Sequence, residues 1–371
     1  MYPANEKRAV MNTIEKNEIR VGIVTTYGET NYGNKLQNYA LKKVLNNYGC
    51  KVDTIIRAGG LSKKIKNIAI QMPKINRVLL YRKMSSIKRE KIAPFSKKYL
   101  STRLIKGDLT TLNANYDSYI TGSDQVWNPN FAATDMHFLS FAPPEKRFSY
   151  AASFGISKIP KNQTSYFANH LSKLEQISVR EEDGARIVKE LTGQDAVVVL
   201  DPTLLLSGEK WDDLINANKI KPIKDDYIFL YFLHQPNQTL KKKIDDFAKK
   251  HNYKIYHVMG DTYDKTHQTP TVPEFLARIR HAKMVFTDSF HGTIFSIIFH
   301  VPFAVFNRQD AKMSSRINTL LKTAGLSSNA ATDKSDFDKL LTTNFLNVNQ
   351  KIAKERRKSL DFLRGVISNG K

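Results

Sequence analysis

The sequence predicts an α/β protein made of two doubly wound, Rossmann-like domains that face a cleft. Three observations carry this. Short apolar runs alternate with amphipathic helical stretches, the pattern of a parallel sheet with crossover helices. That pattern occurs as two series joined near residues 203–222, and a chain of 371 residues is long for one domain. Polar clusters fall where strands hand over to helices, which is where ligands sit in open parallel sheets.

The elements follow in order. RVGIVTT (20–26) reads as a first strand, and 35–48 places Leu36, Tyr39, Ala40, Val44 and Tyr48 on one helical face before Gly49. Residues 51–56 make the next strand. Further strands are expected at 116–121, 148–152, 177–180 and 196–200, with a helix at 182–191. The second series begins with YIFLYFL (227–233), passes a helix at 240–251 and reaches a strand at 254–259. Thr271 and Glu274 form a capping box that opens a helix through His281, with Pro273 inside its first turn. Strands at 284–287 and 303–306 flank a helix at 293–299, and a long helical stretch occupies 347–366. The expected domains are 18–205, with a basic helical insertion at 57–106, and 206–371, whose last helix returns to brace the first.

Composition narrows the function classes. A hydrophobic content of 41% and a charged content of 25% describe an ordinary globular chain. The single cysteine, Cys50, excludes a disulfide framework and suits a reducing compartment. The leader MYPANEKRAVMNTIEKNEIR is too charged for a signal peptide, and no run reaches the roughly 18 apolar residues of a membrane span. The expectation is a cytoplasmic protein that spans no membrane. The net charge of +23 is uneven: between Arg57 and Lys106 fifteen Lys or Arg face one acid, Glu90. Apolar residues at three-to-four spacing there, from Leu61 to Leu79, suggest basic amphipathic helices broken near Pro73. Such a surface either docks on an anionic membrane at the inner leaflet or is a solvated face over the main fold. Nucleic acid is not an expected partner: no helix-turn-helix, zinc-ligand spacing or aromatic RNA-binding signature is present.

Four clusters and the DSFHG stretch can carry chemistry. In TNYGN (30–34), Gly33 permits a close approach of backbone to ligand, and Asn31, Asn34 and Gln37 offer donors for sugar hydroxyls or phosphate oxygens. This is not the dinucleotide fingerprint. In GSDQVWNP (122–129), Ser123 and Asp124 follow a strand end. Asp124 is a helix cap or a carboxylate that deprotonates a hydroxyl, and spacing alone favours the cap. Trp127 reads as a core aromatic rather than a sugar platform. SYAASFG (149–155) brings Ser153 to a strand end, and ISVRE (177–181) delivers Arg180, which needs a ligand anion, Glu181 or another acid. The strand 284–287 hands over to Asp288, Ser289, His291, Gly292 and Thr293 at a helix start, where an imidazole can hold or move a proton. Its alternative is a core histidine bonded to a carbonyl. Arg308 and Arg316 follow the next strand, where they can close over an anion.

The ordered set NYGNKLQNYAL (31–41), YDSYITGSDQVWNP (116–129), KRFSYAASFG (146–155), ISVRE (177–181), VLDPTLLL (199–206) and FTDSFHGTIFS (286–296) closely resembles the polysaccharide pyruvyl transferase family. The resemblance runs from about residue 20 to 325. It implies a GT-B-like arrangement of the two domains and transfer of a pyruvyl group from phosphoenolpyruvate to sugar hydroxyls as a ketal, with release of phosphate. It also implies that His291 lies at the phosphoenolpyruvate site and that Arg180 holds the donor. From the chemistry such a reaction needs, His291 is the candidate proton donor or phosphate ligand and Asp124 the weaker candidate base. No cofactor or metal is expected beyond phosphoenolpyruvate as co-substrate. Acceptors in such pathways are often glycans on a lipid pyrophosphate, which would give segment 57–106 a purpose. Members often read Arg-Leu-His-Gly where this chain reads Ser289-Phe290-His291-Gly292. Either Arg308 or Arg316 supplies that guanidinium, or the donor differs. Two other readings stay open: a GT-B glycosyltransferase using a nucleotide sugar, and a non-catalytic basic adaptor on membranes or anionic polymers.

Overall fold

The computed structural model describes residues 18–58, 75–130, 133–259, 269–307 and 314–369. Two parallel five-stranded sheets with flanking helices form two lobes.

The N-terminal lobe contains β1 (Arg20–Val24), α1 (Tyr32–Asn47), β2 (Lys51–Arg57), α2 (Ile75–Tyr99), β3 (Thr102–Ile105), β4 (Ser118–Thr121) and β5 (Arg147–Ser149). Its sheet runs β3-β2-β1-β4-β5. The chain winds outward from β1 to β3, then returns to pair β4 with β1, Val24 opposite Thr121. A topological switch point therefore lies between β1 and β4. Gly22 in β1 is required by packing, because a Cβ there would lie 2.7 Å from the Tyr119 ring of β4. Helix α3 (Thr164–Leu171), strand β6 (Ser178–Val179), helix α4 (Glu182–Thr192) and strand β7 (Val197–Val198) follow. Parallel bridges Phe148–Gln176 and Ala152–Val179 align β6 beside the β5 edge.

The second series comprises α5 (Gly208–Ala217), β8 (Tyr227–Phe232), α6 (Gln238–Lys250), β9 (Lys254–Met259), α7 (Val272–Arg280), β10 (Met284–Thr287), α8 (Phe290–Ile298), β11 (Phe303–Phe306), α9 (Ser314–Ala324) and β12 (Ala330–Ala331). Its sheet runs β12-β11-β10-β8-β9, which puts the switch point between β8 and β10. Thr271 and Glu274 make both hydrogen bonds of the capping box that opens α7. Helix α10 (Phe337–Leu341) and the long α11 (Val348–Asn369) complete the described chain.

Three apolar layers hold this together. One lies on the outer face of each sheet. The third is shared: it runs from Val21 and Leu36 through Trp211 to Phe275 and Phe295, so the lobes are joined by continuous hydrocarbon. Helix α1 is the wedge between them. Its Tyr32 stacks on Phe275 of α7 at 4.3 Å and donates to the Pro270 carbonyl, while Tyr39 meets Trp211 of α5 at 5.7 Å. Helix α11 touches the first lobe's end: Ser359 Oγ accepts from Leu200 N, and Arg356 Nε donates to Leu204 O.

Several sequence expectations shift. Helix α8 begins at Phe290, not at 293, because Ser289 caps it by accepting from Gly292 N; His291 is thus inside the first turn. No helix starts at Asp124, so the cap reading fails. The residue sits at φ 75° in a bridge with Ala152, and its carboxylate serves other groups. Gly33 does not take a positive φ; it lies in the first turn of α1, capped by Asn31. The break near Pro73 and the stripe from Leu61 to Met72 fall outside the described residues, and α2 contains an interior Pro94.

Candidate functional site

The two switch points meet across the cleft. From the first lobe come the β1–α1 loop, the 122–125 turn after β4, Arg180 after β6, and Asp201 beyond β7. From the second come α8 and α9. Together they assemble a buried polar cluster between apolar layers.

Arg180 is its hub. Its side chain is 1% exposed, and Nη1 donates to Asp201 Oδ2 at 2.8 Å while Nη2 reaches Asp124 Oδ1 at 3.4 Å. Its guanidinium lies 4.3 Å from the Phe290 ring centroid, and that of Arg316 lies 5.6 Å from the same ring. Glu181, the adjacent acid, is not the partner. It accepts from Ser153 Oγ, Phe154 N and Gly155 N, so the Ser153 hydroxyl is directed inward rather than to the cleft.

Asp201 is fully buried and caps a short 3-10 turn, accepting from Thr203 N at 3.0 Å and Thr203 Oγ at 2.6 Å. Ser123 Oγ donates to Asp201 Oδ2 at 3.2 Å, and His291 Nε2 stands 3.6 Å from the same oxygen. Burial opposes its charge, but His291, Arg180 and Thr203 together hold its carboxyl far below the usual carboxylate range. Asp124 behaves alike: burial opposes ionisation, and Arg180, His291 and Arg316 overcome it. Its oxygens accept from Gln125 N, Thr26 Oγ and the Asn34 amide. Burial works against the Arg180 charge, yet Asp201, Asp124 and Glu181 raise its pKa above the ordinary value.

His291 closes the ring from the opposite lobe. Its side chain is 10% exposed and rests against the first turn of α1, where Gly33 leaves it room. The Asp201 carboxylate faces it on one side and the Phe290 ring lies 5.5 Å away, so it is not a histidine sealed in hydrocarbon. The amides named from sequence serve internal bonds. Asn31 accepts from Asn34 N as the α1 cap, Asn34 Nδ2 also bonds Thr26 Oγ, and Gln37 Nε2 bonds Thr25 Oγ. Thr293 Oγ donates to Ser289 O, and Gly292 packs against Thr287 and Tyr231, so this trio shapes the turn that presents His291. Arg308 lies outside the described residues. Asp288 ties the second lobe's switch point by accepting from Leu233 N at 2.6 Å and His234 N at 3.1 Å.

A small cavity of about 30 Å³ is lined by Arg180, Asp201, Phe290 and Arg316, with Glu355 of α11 at its edge. Both guanidinium groups therefore border one void. It admits a water-sized group. Among the described residues no cluster of His, Cys, Asp or Glu has the grouping to hold a metal ion, and no helix is long and apolar enough to cross a membrane.

Asp201, Thr26 and Phe290 were not singled out from sequence. Asp201 carried a signal: Asp before Pro, with Thr two residues on, is the pattern of a capped turn at the junction of the two series. The roles of Thr26 and Phe290 depend on contacts distant in sequence.

A family model described as polysaccharide pyruvyl transferase matches residues 31–310. No curated protein matches the chain. Solved structures of similar architecture include a UDP-GlcNAc 2-epimerase from Neisseria meningitidis bound to UDP-GlcNAc, at 10% identity over 91% of this chain and 99% of that one, TM-score 0.42. Another is Arabidopsis thaliana UGT89C1 complexed with quercetin, at 9% identity over 94% and 99% respectively, TM-score 0.48.

Proposed function

Because the chain belongs to the polysaccharide pyruvyl transferase family, we propose that it moves the pyruvyl group of phosphoenolpyruvate onto two hydroxyls of a saccharide as a ketal. The atoms balance without an outside reagent. One hydroxyl proton goes to the enol methylene and makes it a methyl. Two C–O bonds form at the central carbon, its bond to the phosphate oxygen breaks, and the second hydroxyl proton leaves with phosphate.

The observation that supports this reading best is the interlobe pair of His291 and Asp201, with Nε2 3.6 Å from Oδ2. Protonating a carbon needs a general acid beside a counter-charge, and an imidazole whose Nε2 faces a buried carboxylate can fill that role. Asp201 in turn is fixed by Arg180 and Thr203. The Arg316 guanidinium and the N-terminal turn of α8 suit the donor's negative charge. Asp124 is already engaged by four donors and held below the usual carboxylate range, which makes it a weak base. We assign it to orienting Asn34 and Arg180.

The acceptor reading extends to a lipid-linked glycan met at an anionic membrane. The buried Phe95 and half-buried Tyr99 of α2 pack against Tyr39 of α1, with Ile92 also buried, and Lys91, Lys97 and Lys98 stay exposed. Each such basic side chain near an anionic leaflet contributes about 1 kcal/mol, enough for reversible docking at the cytoplasmic face.

The test is incubation with phosphoenolpyruvate and extracted lipid-linked glycans, following phosphate release and the mass of the glycan. The expected outcome is phosphate release coupled to a pyruvyl ketal on the glycan, lost in His291→Ala. Transfer of a sugar from a nucleotide sugar, or no turnover with either donor, would contradict it.

A further inference from the structure

The β1–α1 junction buries a cation that the reaction outlined above does not use. Lys35 is 1% exposed, and its Nζ makes no hydrogen bond. It is the fourth residue of α1, beside free amides at the positive end of the helix, where a second positive charge is disfavoured. The contact that Nζ does make is with the face of Tyr27, 3.9 Å from the ring centroid. The charged groups around it are few. Glu29 lies in the same loop, but its carboxylate is half exposed and held by Arg89 of α2 at 2.6 Å. Burial pushes the Lys35 amine down to about 8, with Glu29 opposing. A ring face offsets only part of what burying an ammonium costs.

Position gives this anomaly a meaning. Thr26 and Asn34 bond each other, and both bond Asp124. Tyr27 and Lys35 are the next residue along on each side of that link. The amine thus belongs to the same junction as that link, buried under the half-buried Tyr27 ring.

We propose that Lys35 is an oxyanion receptor at the β1–α1 junction, capped by Tyr27 until a carboxylate or phosphate of a substrate takes the ring's place. This rests on the transferase reading for the name substrate, and on Lys35 alone for the site. The same chemistry has two sources, the donor phosphoenolpyruvate and a sugar acid on the acceptor.

Titration calorimetry at pH 8.5 in buffers of different ionisation enthalpy separates them, with phosphoenolpyruvate, inorganic phosphate and glucuronate as probes. An amine that titrates near 8 and gains an anion takes up on the order of half a proton on binding. In the arm that supplies the anion, wild type is expected to show that uptake. Lys35→Met should lose it and bind about tenfold or more weakly. Lys35→Gln guards against a shape effect of Met and should behave alike. A response to phosphoenolpyruvate and phosphate assigns the donor; a response to glucuronate alone assigns the acceptor. Unchanged affinity and proton uptake in both variants, in every arm, would overturn the proposal. Failure of phosphoenolpyruvate to bind wild type would count against the transferase reading instead, with the other two probes still judging Lys35.

Discussion

Gly33 and His291 touch across the cleft: a Cβ built on Gly33 would lie 2.1 Å from His291 Nδ1 and 2.6 Å from Cε1. One residue belongs to the first turn of α1 and the other to the first turn of α8. The glycine is needed for space and not for backbone conformation. Gly33→Ala should therefore keep the fold, since alanine suits a helix better than glycine, while it displaces the imidazole. A shift of about 1 Å in such a group costs on the order of a hundredfold in rate. Circular dichroism and turnover measured side by side check this, and an alanine variant with full activity would refute it.

The Arg180–Asp201 pair should dominate the local energetics. Both side chains are buried, at 1% and 0% exposure, so removing one charge strands the other. Asp201→Asn keeps the shape but leaves Arg180 with Asp124 as its remaining carboxylate at hydrogen-bonding range. The expected loss is about 3–5 kcal/mol in urea unfolding. A loss under about 1 kcal/mol would mean that solvent reaches the pair.

Acid should act through the same carboxylates. Asp124 and Asp201 are both held below their unfolded values. The unfolded chain then binds protons first, and the stability they contribute is complete above about pH 4 and is lost as pH falls through and below that value. Thermal melts from pH 6 to pH 3 should show wild type losing stability more steeply below pH 4 than the double variant Asp124→Asn, Asp201→Asn. Parallel curves would contradict this.

Lys35 has the opposite sign. Its folded value of about 8 lies below the ordinary 10.5, so between the two the unfolded chain holds a proton that the folded chain lacks. Stability from this group rises with pH through that window, and below pH 8 its cost is present in full. Lys35→Met should stabilise the protein near pH 7 by up to about 3 kcal/mol, an advantage that fades toward pH 10.5. Destabilisation by the methionine at pH 7 would show that the amine has a stabilising partner.

Much of this architecture was legible in the sequence, for a physical reason. Buried parallel strands such as 284–287 and 303–306 are apolar on both faces and bounded by polar turns, so their limits match the structure residue for residue. Helix starts were less legible: α1 and α8 begin three residues early, because Asn31 and Ser289 cap them ahead of the apolar stripe. The site was partly legible. His291, Arg180 and Asp124 do converge, yet the partner of Arg180 is Asp201, twenty-one residues away, and not the adjacent Glu181. Burial of Lys35 was not legible, since α1 is covered by both lobes and a surface lysine has the same letter as a buried one.

The most direct measurement is competitive titration of phosphoenolpyruvate and nucleotide sugars into wild type and His291→Gln. Saturable binding of phosphoenolpyruvate by wild type, at least tenfold weaker in the variant and unaffected by UDP-sugars, is the predicted result. Tight binding of a UDP-sugar with none of phosphoenolpyruvate would contradict the assignment of the cleft.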